Sequence, residues 1–320
     1  MQSVCVRERE RERETYILYY YNFSGENNHQ INFSVHGRWN QPYVVPHSVR
    51  TASSDNSTIV TYSVQFYYTA DFAAVTPDID GWIDAVLLET NQGYINSMVP
   101  LRAAKHCHEL VNLPLEASSV MLENLTTLRP TFDEIRNSAD VAVLLVKEFK
   151  SSKSCGIAWF NTIDNGQTFS VTKKGCALGY YTFAHEIGHN IGLLHDKETD
   201  VNTDFPHGHG YHIAQGTGKT GYRTILAYWK SGHSIRKNYY SNPSVILPET
   251  GTVTGNAEAN NAAVLMQMRF GLAAVGDESR ACKSSVITTT QASTTTIMPT
   301  TTSSSPTNSP LPTCQAVISK

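Results

Sequence analysis

The sequence predicts an α/β fold for residues 59–278, on three local observations. From Thr61 onward Tyr62, Val64, Phe66 and Tyr68 alternate with Ser63, Gln65 and Tyr67, the period of two expected of a strand. Past Pro77, residues Ile79, Trp82, Ile83, Val86 and Leu87 recur at helical spacing, which predicts an amphipathic helix with one face on a sheet. The run 141–146, VAVLLV, is short, branched and unbroken, as a buried central strand reads.

The remaining elements follow in order. Thr76 is placed to cap the first helix, with Pro77 at its first position and Asp78 and Asp80 suited to its dipole. Short strands are expected at 156–160 and around 169–172. Residues 197–221 are rich in Gly, His and Thr and read as loop, and a final helix is expected over 260–270. On either side of this domain lie a polar, poorly structured leader or prodomain remnant, 1–58, and a disordered stalk, 279–320.

Composition excludes several classes. Of the 320 residues 40% are hydrophobic and 17% charged, which argues against both a disordered chain and a charged coiled coil. A net charge of −3 argues against a nucleic-acid surface. No apolar run approaches the roughly 18–20 residues of a membrane helix. Of six cysteines, Cys155 and Cys176 flank one short segment and are the expected bridge, although six allow fifteen pairings. Sequons begin at Asn22, Asn32, Asn56 and Asn124. Residues 284–313 contain 11 Thr, 7 Ser and 4 Pro and no charge, which reads as a mucin-like stalk or an unmodified linker. Together these features point to an extracellular protein. The opening MQSVCVRERERERE is not a signal sequence, so the true start is expected to be absent or different.

The chemistry lies in residues 182–196, TFAHEIGHNIGLLHD. His185 and His189 are four apart, so a helix projects both from one face and they can share a zinc ion. Glu186 lies beside the first, where its carboxylate reaches a zinc-bound water without ligating the metal. Gly192 breaks the helix by tolerating a left-handed backbone, and the turn returns His195 as third ligand. Three protein ligands with a fourth position open is the catalytic zinc arrangement.

This HExxHxxGxxH pattern resembles the metzincin superfamily of zinc endopeptidases. Asn190 and Asp196 are most similar to its adamalysin or reprolysin branch. CGIAWF at 155–160 resembles that branch's edge strand, and residues 239–245 and 252–263 resemble the C-terminal part of reprolysin-like enzymes. The resemblance implies a twisted, mostly parallel sheet with an antiparallel edge strand, a long zinc helix and a small C-terminal subdomain. It implies one catalytic Zn2+, protein or peptide substrates lying along Ile157, Ala158 and Trp159, and Glu186 as general base. A structural Ca2+ is compatible with it but not indicated by any residue pattern. Asp196 is expected to anchor the loop after the third ligand to the turn below the site.

There is one departure. Where metzincins place a methionine in a turn beneath the metal, residues 224–228 read TILAY, with Leu226 in its place. Leu and Met have similar volumes, so the site is expected to survive. Tyr228 matches a tyrosine that ligates zinc or stabilises the transition state in astacin- and serralysin-like enzymes; packing beside the turn is the equal alternative. Other clusters read as ordinary: His207, His209 and His212 as flexible loop, and His106, Cys107 and His108 as strand residues without a further ligand. Cys5 is a weak candidate for a latency thiol. The rival to an active endopeptidase is a catalytically weak or inactive binding or adhesion module on a mucin-like stalk. A zinc aminopeptidase is disfavoured because that class takes a distant glutamate as third ligand.

Overall fold

The computed structural model describes residues 2–10, 13–21, 58–151, 153–200, 204–214 and 221–277. These all belong to a unit ending at Ser284. The stalk, the Cys5 side chain and the sequons at Asn22, Asn32 and Asn56 lie outside the described residues. In the N-terminal segment Gln2–Glu10 and Arg13–Tyr21 pair as an antiparallel ribbon. Among the described residues no helix is long and apolar enough to cross a membrane.

The scaffold is a five-stranded sheet made of β1 (Val60–Thr69), β2 (Leu101–Val111), β3 (Val141–Val146), β4 (Gly156–Ala158) and β5 (Phe169–Lys173), in spatial order β2-β1-β3-β5-β4. All pairings are parallel except β4 against β5. The expected mostly parallel sheet with an antiparallel edge strand is therefore present, and the fold is metzincin-like.

Both faces of the sheet are covered, which explains the apolar content of its central strands. On one face Tyr62, Val64, Phe66, Val141, Val143 and Leu145 pack against α1 (Ile79–Asn96) and α3 (Thr182–Ile191), together with α4 (Asn261–Leu272). On the other Tyr67, Ala142, Leu144, Val146, Phe169 and Val171 meet Met121, Leu122 and Leu125 of α2 (Ser118–Thr126). VAVLLV is fully buried, as its composition predicts.

Three local expectations need correction. The cap of α1 is Asp78, not Thr76: its carboxylate accepts the Gly81 N–H at 2.9 Å, and the helix begins two residues later. The strands at 156 and 169 have slightly different bounds, and α4 starts after Asn260, whose side chain accepts the Ala263 N–H. The segment after the histidine motif is not plain loop. It contributes β7 (His209–Gly210), parallel to β6 (Leu194–Asp196), and β8 (His212–Ile213), which joins β9 (Tyr222–Arg223) and β10 (Ile235–Arg236) in a small sheet.

Candidate active site

Helix α3 is buried almost throughout, so its histidines are held by packing rather than by solvent-facing rotamers. It stops at Gly192, whose φ of 104° is left-handed. A side chain is excluded there twice over, because a Cβ would also lie 2.5 Å from the Phe205 ring. The reversed chain forms β6 and carries His195 back over the helix. Its strand is fixed by β7, where the buried His209 ring donates from Nδ1 to the His195 carbonyl at 2.9 Å. His209 is thus a structural prop, contrary to the flexible-loop expectation.

The three imidazoles converge. Their Nε2 atoms lie 3.1 Å (His185 to His189), 3.0 Å (His189 to His195) and 3.3 Å (His185 to His195) apart. Nδ1 of His185 donates to the Ile225 carbonyl and Nδ1 of His189 to the Leu193 carbonyl, each at 2.8 Å. Those bonds put the proton on Nδ1 and leave lone pairs on Nε2 facing each other. Lone pairs so placed repel unless a cation lies between them. Tetrahedral zinc with Zn–N near 2.0–2.1 Å separates its ligand nitrogens by about 3.3 Å, so this donor set fits that ion. Burial first, and the neighbouring rings second, lower the His185 and His195 pKa values, that of His195 to about 3. Burial also lowers that of His189. Neutral imidazole is the ligating form.

Residues 224–228 form the floor. Leu226 is fully buried, and a Cβ on Gly188 would lie 3.3 Å from its Cδ2, so the leucine fills the space directly beneath α3. The same turn supplies the Ile225 carbonyl to His185, and its Tyr228 N–H donates to Asp196 Oδ2 at 3.0 Å. Asp196 is therefore the anchor expected of it. Despite burial, the Tyr228 N–H and the Thr199 hydroxyl hold its carboxyl below the usual range. The Tyr228 ring sits 3.9 Å, centroid to centroid, from that of His195.

Glu186 is buried under the edge strand. A Cβ added to Gly156 would come within 2.6 Å of Glu186 Oε1, so the glycine makes room for the carboxylate. Burial raises the Glu186 pKa to about 8, against the opposing charge of Arg236. Strand β4 ends the sheet, with Ile157 opposite Val171 and Ala158 opposite Ser170. Lys173 donates to the Cys155 carbonyl and Trp159 to the Phe169 carbonyl, so alternation turns the backbone groups of Gly156 and Ala158 outward. The Ile157 and Trp159 side chains pack on the second core, and Trp159 Nε1 donates to Thr126. Asn190 of α3 clamps this edge by donating to the Trp159 and Phe169 carbonyls. The expected Cys155–Cys176 disulfide ties the strand to the segment before α3.

The cluster at 106–108 is accounted for without a metal. His106 bonds the Asn137 carbonyl, His108 faces Asp80, and Cys107 is in a disulfide. Among the described residues the cluster of His185, His189 and His195 is the one suited to a metal. Sequence reasoning missed Gly156, Ile225, His209 and Arg236. Each acts across a long sequence separation and leaves no local pattern.

A mostly parallel sheet with an antiparallel outer strand, lying over a helix with convergent imidazoles, defines a metzincin-like metallopeptidase. Residues 112–196 match the family described as Metallo-peptidase family M12B Reprolysin-like. The chain is 35% identical over 226 residues to a peptidyl-Asp metalloendopeptidase of Stenotrophomonas maltophilia K279a, covering 66% of this chain and 52% of that one. It is 33% identical over 179 residues to the protein of that name from Pseudomonas fragi, covering 55% of this chain and 99% of that one. It spans about half the length of the Stenotrophomonas relatives. A solved structure titled as a chaperone–substrate complex shares the fold, with a TM-score of 0.53 at 18% identity over 69% of this chain and 36% of that one. The chain belongs with these relatives to the metzincin-like zinc metallopeptidases.

Proposed function

We propose that this chain is a zinc-dependent endopeptidase in which His185, His189 and His195 hold the metal and Glu186 is the general base. The observation that carries this reading is the convergence of three Nε2 atoms beside a buried carboxylate, under an open strand edge. Bound zinc supplies Lewis acidity toward the scissile carbonyl and toward water. Glu186 takes the proton from the attacking water and delivers it to the leaving amine. A substrate pairs in extended form with the outward backbone groups of Gly156 and Ala158. Ile157 and Trp159 support that strand from behind. Tyr228, its ring tilted against that of His195, steadies the third ligand.

The substrates are proteins or peptides. The relatives named above are peptidyl-Asp metalloendopeptidases, and the same substrate class is the reading for this chain. A disulfide, four sequons and the Thr/Ser-rich tail support an extracellular setting. Leu226 is the sequence feature that tilts toward an inactive module, and its side chain fills the place of the methionine under the helix.

The test is hydrolysis of denatured casein by the full chain and its Glu186→Ala variant, with bound zinc measured in both. Cleavage should fall by about 10²–10⁴-fold in the variant while zinc stays near one per chain. A parent that binds zinc and cleaves nothing would sink the proposal.

A further inference from the structure

Two arginines beside the active site form no ion pair with any described residue. Arg223 and Arg236 are register partners in the parallel β9–β10 pair. Arg223 Nη1 donates to the Ala227 carbonyl at 2.7 Å, and Arg236 Nη2 reaches the same oxygen at 3.4 Å. Arg236 Nη1 donates to the Tyr180 carbonyl at 2.8 Å. The Nε of each is buried without a hydrogen-bond partner. Among the described residues no Asp or Glu forms an ion pair with either, whereas Arg129 pairs with Glu109 and Arg136 with Asp133. Adjacent desolvated cations repel, and a buried charge is normally matched by a counter-ion.

The position of Arg236 says where the missing anion comes from. Its guanidinium spans the loop just before α3, at Tyr180, and the floor, at Ala227. Its charge acts on Glu186, Tyr228 and all three histidines. The surface there is formed by exposed Tyr180, Tyr228 and Trp229. Arg236 is only partly buried and Arg223 is buried behind it, so the outer guanidinium is the accessible one. Its Nε is buried, but Nη1 and Nη2 each make a single bond here and keep a second N–H, so the outer end of the planar guanidinium is the part that can meet a carboxylate.

We propose that Arg236, backed by Arg223, determines specificity by binding the carboxylate of an acidic substrate residue next to the scissile bond. The proposal rests on the endopeptidase reading above and names the residue that selects its substrate class. Glu186 acts on Arg236 only through its field and forms no ion pair with it, so a peptide carboxylate supplies the direct partner and an amide of the same shape does not. The field of two cations also attracts acidic segments to the cleft before docking.

The test uses the full, zinc-loaded chain and two quenched fluorescent peptides differing only by Asp or Asn at one position. The readout is the ratio of kcat/KM values within each protein, which a merely structural role for Arg236 would not move. The parent should favour Asp by about 10- to 100-fold. Arg236→Gln should bring the ratio to within about threefold of unity, and Arg236→Lys should leave an intermediate ratio because charge remains without the fork. The same peptides are titrated into the Glu186→Ala protein to compare binding without turnover. An Asp preference in binding, lost in Arg236→Gln, supports the proposal even if no peptide is cleaved, in which case only the endopeptidase reading fails. A parent ratio near unity overturns the proposal without need of any variant, as does an undiminished ratio in folded Arg236→Gln.

Discussion

The sheet has two edges, and they are finished in opposite ways. Strand β2 is long, and its Ala103 N–H and carbonyl are both taken by the Asn91 side chain of α1, at 2.7 and 3.0 Å. A bulge at His106 interrupts its register, and Lys105 pairs with Asp80 and Asp84. Charge, bulge and side-chain caps are the devices that stop an edge from recruiting another strand. Strand β4 has three small or apolar residues and no charge, and its Gly156 lies against the buried Glu186 carboxylate. The difference teaches that edge pairing is suppressed where it would be a liability and left available beside the histidine cluster, where the proposed substrate pairs.

That contrast can be broken most severely at Gly156. In Gly156→Ala the new methyl group must displace Glu186, so cleavage should fall by about 100-fold with the Cys155–Cys176 bridge and bound zinc retained. A kcat/KM within threefold of the parent would mean that the carboxylate tolerates the shift. A smaller effect is expected from Ala158→Pro, which removes an outward N–H and leaves the Trp159 bond to Phe169 in place. Peptide kcat/KM should drop about tenfold with the thermal midpoint little changed; an unchanged rate would remove strand addition from the mechanism. Least of all is expected at the opposite edge. Asn91→Ala should cost about 1–2 kcal/mol in urea unfolding and promote self-association at high concentration, measured by sedimentation. If the variant stays monomeric and as stable as the parent, the capping account of that edge is wrong.

What the sequence made legible was local. His185 and His189 stand one helical turn apart, and Gly192 sits where only a left-handed residue can reverse the chain, so both could be read from spacing. VAVLLV announced a strand covered on both faces, and the Cys155–Cys176 pairing followed from proximity along the chain. The α1 cap was misplaced by two residues because Thr76 and Asp78 are both good capping residues, and the hydrogen bond to Gly81 decided between them. The props of the site were not legible. The Ile225 carbonyl, the His209 ring and the Gly156 clearance each depend on segments brought together only by the sheet, and backbone groups carry no residue signature. Arg236 resembles any surface arginine until its bonds to the Tyr180 and Ala227 carbonyls place it beside the site.

The split between motif and floor also orders events in time. The histidines emerge within eleven residues of one another, but the carbonyl that fixes the His185 tautomer arrives at residue 225 and the N–H that holds Asp196 at residue 228. During synthesis, a growing chain thus presents these histidines well before the floor that orients them. Competence is reached late, after the edge strand, the disulfide partners and most of the core have been made, and a truncated chain ending before residue 225 lacks the means to set its first ligand.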